Sequence, residues 1–342
     1  MKLMFVAIGF VMVLFWGMAA PAQVIRVAQY NVELDRDGPG LLLRDILRDE
    51  DSKISAAQDV ITRADPDVIL LNRFDYDADL LALSAFADAL AEYDLRYPHR
   101  FALPPNSGLA TGLDLDGNER TGEPRDAQGY GRFHGQSGMA ILSKWPIGTA
   151  TDFSDFMWKN LPNARRPTRP DGTPFPSGDA QDIQRLSSVG HWLVPILING
   201  TPLTLLAFHA TPPVFDGPED LNGLRNRDEI RFWPLLLDAS LPYTPPAPPF
   251  VLLGTLNVDP DQGEGYRDTV RDLLAHPELQ DPLALLGPTV DWTDLGLGLM
   301  RVDYILPSGN LRVTETGTVV AESTDASRHK LIWVDMAISV GE

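Results

Sequence analysis

The chain has 342 residues, 44% of them hydrophobic and 22% charged, enough to bury one large core or two modest ones, so disorder is not the default. Its formal net charge of −19 argues against long DNA or RNA as a partner, because polyanion binding draws on basic surface and counterion release. With no cysteine, neither a disulfide framework nor a lipid-modified thiol can form.

Residues 1–22 differ from the rest. Lys2, an apolar run over residues 3–18 and the small residues Ala20-Pro21-Ala22 have the form of an export signal with its cleavage site, an uncleaved anchor being the alternative. Cleavage removes one positive charge, leaves −20, and places the mature protein in a periplasm or in the medium, free of the membrane. Residues 24–30 then alternate loosely as a strand ending at Asn31. The apolar spacing predicts helices over 41–47 and 54–64, stopped by Asp65-Pro66. A buried strand at 67–71 runs into Asn72, Arg73 and the acids Asp75 and Asp77, and a helix follows over 80–93.

Residues 97–136 are rich in Gly, Pro and Asn and too long for a plain connection, which suggests a functional or metal-binding loop. Within it Asp114, Asp116 and Asn118 surround Gly117. Such a group can wrap Ca²⁺ or be a solvated loop, and the glycine is not where a calcium-binding helix-loop-helix needs it. A strand at 138–142 and a surface segment at 161–179 come next. Strands at 190–198 and 202–208 flank Asn199-Gly200, a strong hairpin signal, and the second ends at His209. A helix is expected over 225–240, a buried strand over 250–253 leading to Asn257 and Asp259, a helix over 266–275, and strands over 300–306 and 330–337. No repeat or linker divides residues 23–342, which read as one monomeric domain.

Four strands thus end on Asn31, His209, Asn257 and His329, and Asp303 lies within a fifth. Taken singly, each is as well explained by a turn or a satisfied buried polar group. Their order and local words resemble the endonuclease/exonuclease/phosphatase superfamily. The carrying words are QYNVE, DPDVILLN, LLAFHATPP, GTLN, RVDYIL and SRHKLIW, spanning residues 24–337. The resemblance implies a DNase I-like α/β fold, two packed β-sheets in a four-layer α/β/β/α sandwich. It also implies hydrolysis of phosphodiesters or phosphomonoesters with a divalent cation, usually Mg²⁺. By the same resemblance His329 is the base that prepares water and Asp303 orients it. His209 and Asn257 hold phosphate oxygens, and Asn31 positions metal or phosphate.

Three carboxylates of that pattern are missing: the metal-binding Glu falls on Arg73, the Asp before Asn257 falls on Thr255, and the Asp before His329 falls on Arg328. One guanidinium roughly 4 Å from a divalent ion costs about 8 kcal/mol at an effective dielectric near 20, so the family's metal site is expected to be absent. Two outcomes follow from the residues. Either the chain binds a small phosphorylated or other anionic ligand, with Arg73 and Arg328 supplying positive charge and hydrolysis impaired or lost, or hydrolysis survives through Mg²⁺, Mn²⁺ or Ca²⁺ displaced onto Asp75, Asp77, Glu33 or Asp259. An extracellular interaction module without a small ligand is the third class.

Overall fold

The computed structural model describes residues 23–339; the expected export signal lies outside them. In chain order the elements are β1 (Gln23–Asn31), α1 (Leu41–Arg48), α2 (Ser52–Ala64), β2 (Val68–Phe74), α3 (Leu81–Ala91), β3 (His99–Phe101), β4 (Gly138–Ser143), β5 (Thr151–Asp152), α4 (Gly178–Ile183), β6 (His191–Ile198), β7 (Thr201–His209), α5 (Leu221–Leu237), β8 (Phe250–Thr255), α6 (Arg267–Leu274), β9 (Val290–Trp292), β10 (Gly298–Met300), β11 (Asp303–Pro307), β12 (Arg312–Val319) and β13 (Leu331–Ile338). Among the described residues no helix is long and apolar enough to cross a membrane.

The strands form a six-stranded sheet, β12-β13-β1-β2-β4-β3, a five-stranded sheet, β11-β8-β7-β6-β5, and the small β9-β10 pair. Side chains of a strand alternate between faces, and here each large sheet is apolar on both. Val27, Leu70, Ile141, Leu205, Val251, Leu253, Ile305 and Val334 fill the space between the two sheets. Tyr30, Ile69, Leu71 and Leu142 turn outward onto α1, α2 and α3, while Leu206, Phe208, Leu252 and Tyr304 turn outward onto α5 and α6. The result is four layers, helix, sheet, sheet and helix.

That alternation also places the polar strand ends. Counting by twos from the inter-sheet residues, β1 runs from Val27 to Gln29 and Asn31, β2 from Leu70 to Asn72, β7 from Leu205 to Ala207 and His209, and β8 from Leu253 to Thr255. In β11 the same face carries Asp303 and then Ile305. Register brings these ends level: Asn31 pairs with Asn72, His209 with Thr255, and Asp303 with Thr255. The space between the sheets is therefore apolar along its length and polar at one end. The β7–β8 approach needs Gly254, because a Cβ there would sit 2.0 Å from the Phe208 carbonyl oxygen.

Several expected elements are corrected. The strand expected over 300–306 is two, β10 and β11, with Arg301 and Val302 between, so Asp303 opens a strand rather than lying inside one. The edge strand β12 was not expected. It lies on the rim of its sheet with much of its surface in water, so its sequence lacks the apolar alternation that marks a half-buried strand. The surface segment expected over 161–179 runs into α4, capped by Ser177, whose hydroxyl accepts from the Ala180 N–H.

Candidate active site

The polar end of the inter-sheet space is a continuous hydrogen-bond network. Gln29 Nε2 lies 2.8 Å from Asn72 Oδ1, 3.1 Å from Thr255 Oγ1 and 3.3 Å from Asp303 Oδ1, so one amide joins the two sheets. Thr255 Oγ1 donates to Asp303 Oδ1 at 2.7 Å, and Asp303 Oδ2 accepts from His329 Nδ1 at 2.7 Å. Asp303 is fully buried and His329 is 4% exposed. The carboxylate fixes the imidazole proton on Nδ1, which leaves the lone pair on Nε2, an atom with no hydrogen-bond partner among the described residues. An oriented imidazole with a free Nε2 can take a proton from water.

Across from it, Asn257 Nδ2 lies 3.4 Å from His209 Nε2 and donates to the Ala210 carbonyl at 2.8 Å. Burial pushes the His209 imidazole down to about 3, with Arg73 and His329 adding in the same direction, so it is neutral at ordinary pH. A neutral ring accepting on Nε2 carries its proton on Nδ1, and His209 Nδ1 is buried without a partner, as is Asn31 Oδ1. With Gln29 Oε1 also unpaired, the cluster has one orphan donor and two orphan acceptors, groups a ligand can satisfy.

Arg73 and Arg328 both come to this end of the molecule, where each holds Glu33. Arg73 Nη1 is 2.9 Å from Glu33 Oε1 and its Nη2 is 2.7 Å from Asp35 Oδ1. Arg328 Nη2 is 2.7 Å from Glu33 Oε1, and its backbone N–H donates to Glu33 Oε2 at 3.0 Å. Burial alone would raise the Glu33 carboxyl, but the Arg328 hydrogen bond and the Arg73 charge outweigh it and bring the carboxyl down to about 2. The expectation that both guanidiniums face an incoming anion is thus modified: they are pre-paired with a buried carboxylate.

The backbone explains how Arg73 reaches there. By strict alternation it would point to the helices, like Ile69 and Leu71. The β2–β4 register shifts between Asn72 and Phe74, and Arg73 is the bulged residue, with φ 55°. Glu33 (φ 48°) and Asn257 (φ 58°) are also left-handed. Asparagine adopts this conformation readily; for Glu and Arg it is uncommon and costs on the order of 1 kcal/mol each, repaid here by the ion pairs it aligns.

These donors do not fit a divalent cation at the family position. Guanidiniums offer no lone pair, both Glu33 oxygens are taken, and the Thr255 hydroxyl serves Asp303. Asn31 Oδ1 and Gln29 Oε1, two neutral amide oxygens, are left without partners, against about six oxygens for Mg²⁺, which is usually anchored by carboxylates. The other acids named for a displaced ion are engaged as well. Asp75 accepts from the backbone of Arg36 and Ser137, Asp77 caps α3 through Leu81 and Ala82, and Asp259 accepts from Asp261, Gln262 and Arg301. In the long loop, Asp114 and Asp116 are joined by Asp126, with ligand atoms within 4.8 Å of one another, a spacing that could hold an ion. Asn118 is differently placed from expectation: its Oδ1 accepts from the Arg120 N–H and its Nδ2 donates to Asp116 and Glu123.

The family model for the endonuclease/exonuclease/phosphatase family matches residues 28–329. The chain belongs to that family. No curated protein matches the sequence. Among solved structures, an endonuclease/exonuclease/phosphatase from Beutenbergia cavernae DSM 12333 is similar at 18% identity and TM-score 0.55, over 92% of this chain and 72% of that one. A family protein from Leptotrichia buccalis C-1013-b gives 17% and 0.53 over 92% and 100%. The human Nocturnin catalytic domain, solved with bound sulfate anion, gives 14% and 0.51 over 92% and 93%. At these identities the likeness establishes the DNase I-like fold. The family is a phosphoester hydrolase family, generally metal-dependent.

Sequence reasoning missed Gln29, Asn72 and Asn226. The first two were legible in principle, since they continue the inward period of β1 and β2 where it turns polar. Asn226 lies on α5, where it donates through Nδ2 to the carbonyls of Thr211 (2.6 Å) and Leu256 (2.8 Å), binding the loops that carry His209 and Asn257. Its signal was a polar residue on the sheet-facing side of a helix. Asn226→Ala leaves two buried carbonyls without a donor and is expected to cost about 2–3 kcal/mol in a denaturation experiment.

Proposed function

We propose that this family member is exported and binds a small phosphorylated or otherwise anionic ligand at the Asn31–His209–Asn257–His329 cluster without the family's Mg²⁺, its hydrolytic activity impaired or lost. The observation that carries the reading is the Arg73–Glu33–Arg328 triad at the cation's place. Two guanidiniums with Glu33 and Asp35 sum to zero formal charge, as a divalent cation held by two carboxylates would, so the site is electrostatically complete without a metal. The ligand-facing groups are kept: His329 on Asp303, neutral His209, and Asn257. Sulfate in the Nocturnin catalytic domain is an anion of the kind proposed. The chain's acidity favours a small monoanion or dianion over a long polyanion.

The test is calorimetry of the full chain with inorganic phosphate, with and without EDTA, beside turnover of generic phosphodiester and monoester substrates in Mg²⁺, Mn²⁺ or Ca²⁺. Expected are phosphate binding indifferent to EDTA, at least tenfold weaker binding in Asn257→Gly, and no cation-dependent turnover. The Asn257→Gly variant removes the amide while glycine keeps the left-handed backbone. Cation-dependent turnover would establish the displaced-metal alternative, and silence toward phosphate would favour an extracellular interaction module.

A further inference from the structure

The β9–β10 hairpin is built onto the strand that presents His329. Val290 bridges to His329, the Asp291 N–H donates to the Arg328 carbonyl at 3.1 Å, and the Lys330 N–H donates to the Thr289 carbonyl at 2.7 Å. This fixes the Trp292 indole edge-on to the His329 imidazole, ring centroids 5.6 Å apart and planes at 84°. Across the hairpin Trp292 faces Gly298, which has no side chain to cover the indole. The ring is half-buried, packed on the small cluster of Val290, Met300 and Val302 together with Leu297. Leu295, at the turn, is 51% exposed. Asp294 on the same turn lies 3.7 Å from Arg328. One side of the polar cluster is therefore a half-buried indole beside His329, whose Nε2 has no hydrogen-bond partner among the described residues.

We propose that Trp292 is a specificity-determining residue, and that the ligand is a phosphate ester whose ester group is aromatic or otherwise apolar and packs on the indole while the phosphate lies at His209, Asn257 and His329. The inference rests on the anion-binding reading above and adds the chemical class of the group attached to the phosphate. A polar ester group in that position would leave the indole face in water and gain nothing from it. An aromatic one removes apolar surface from both partners and adds a ring–ring contact.

Calorimetry of the full chain with inorganic phosphate, glycerol 3-phosphate and phenyl phosphate tests it. Phenyl phosphate is expected to bind roughly tenfold more tightly than the other two. Trp292→Ala should erase that preference while leaving inorganic phosphate affinity in place, which also shows that the variant is folded, and Trp292→Phe should keep most of it. Equal affinity for all three ligands in the parent protein overturns the proposal. Equal loss of all three in Trp292→Ala also overturns it, reducing the indole to a support for His329. No binding of any ligand defeats the anion-site reading itself, and the inference with it.

Discussion

Replacing Arg73 by Glu, Thr255 by Asp and Arg328 by Asp together should give the protein cation-dependent hydrolysis of a generic phosphodiester at least 10³-fold above the unaltered chain. A bound divalent ion supplies several kcal/mol of charge stabilisation at phosphorus. The base and its orienting acid are already in place, His329 Nδ1 being 2.7 Å from Asp303 Oδ2. What is missing is a set of oxygen ligands, and the three substitutions restore them while removing two guanidiniums. Physical chemistry also predicts a side effect. Thr255 Oγ1 is 2.7 Å from the fully buried Asp303, so a carboxylate at 255 faces a like charge unless a cation lies between them. The triple variant should therefore melt several degrees higher in Mg²⁺ than in EDTA, whereas the parent melts alike in both. If its melting temperature ignores Mg²⁺, the cation's place has been misassigned.

Glu33→Gln is expected to lower the melting temperature at neutral pH by roughly 4 °C and to flatten the acid limb of the stability curve. The Glu33 carboxyl is held down to about 2, against an ordinary 4.5, by the Arg328 hydrogen bond and the Arg73 charge acting against burial. A folded-state value below the unfolded one stabilises fully above about pH 4.5 and fades as pH falls to about 2, where Glu33 protonates in both states. The gap corresponds to about 3 kcal/mol at neutral pH, which for a chain of this size gives the quoted shift in melting temperature. The parent and variant curves should converge between pH 4.5 and 2. Curves that stay parallel across that window would mean that Glu33 contributes nothing through its charge. The same substitution frees N–H donors on both arginines, so inorganic phosphate should bind about tenfold more tightly.

Much of this was legible from the residues because the strands obey one rule. Short apolar runs ending at Asn31, His209, Asn257 and His329 identified strands and the end at which chemistry could gather, though not which face of each strand turns inward. The hairpin at Asn199-Gly200 was legible for a local reason, two successive left-handed residues, observed at φ 49° and 85°. What escaped was long-range. Nothing near Glu33 in sequence announces that residues 73 and 328 will meet on its carboxylate, because the bulge that turns Arg73 inward breaks the period-two rule that located its neighbours. Sequence offered Glu33 as a ligand for a displaced metal; in the fold, two guanidiniums saturate it. Asn226 hid in the N-terminal half of α5, where Arg225, Asp228 and Glu229 are also buried, whereas the apolar stripe of Ile230, Trp233, Leu236 and Leu237 marks only the second half, so it was a poor guide to what the first half packs.

The margins of the two sheets carry a consequence for assembly. One sheet ends on β3, three residues long, and on β12, whose pairing with β13 slips between Val313 and Glu315. The other ends on β5, two residues long, and on β11, which closes with Pro307. Brevity, a kink and a missing N–H donor are each devices that deny a neighbouring polypeptide a straight row of free amides and carbonyls. Growth by adding strands from further copies is thereby discouraged at every rim, and a chain without disulfides can stay dispersed at high concentration by backbone geometry as well as by its negative charge.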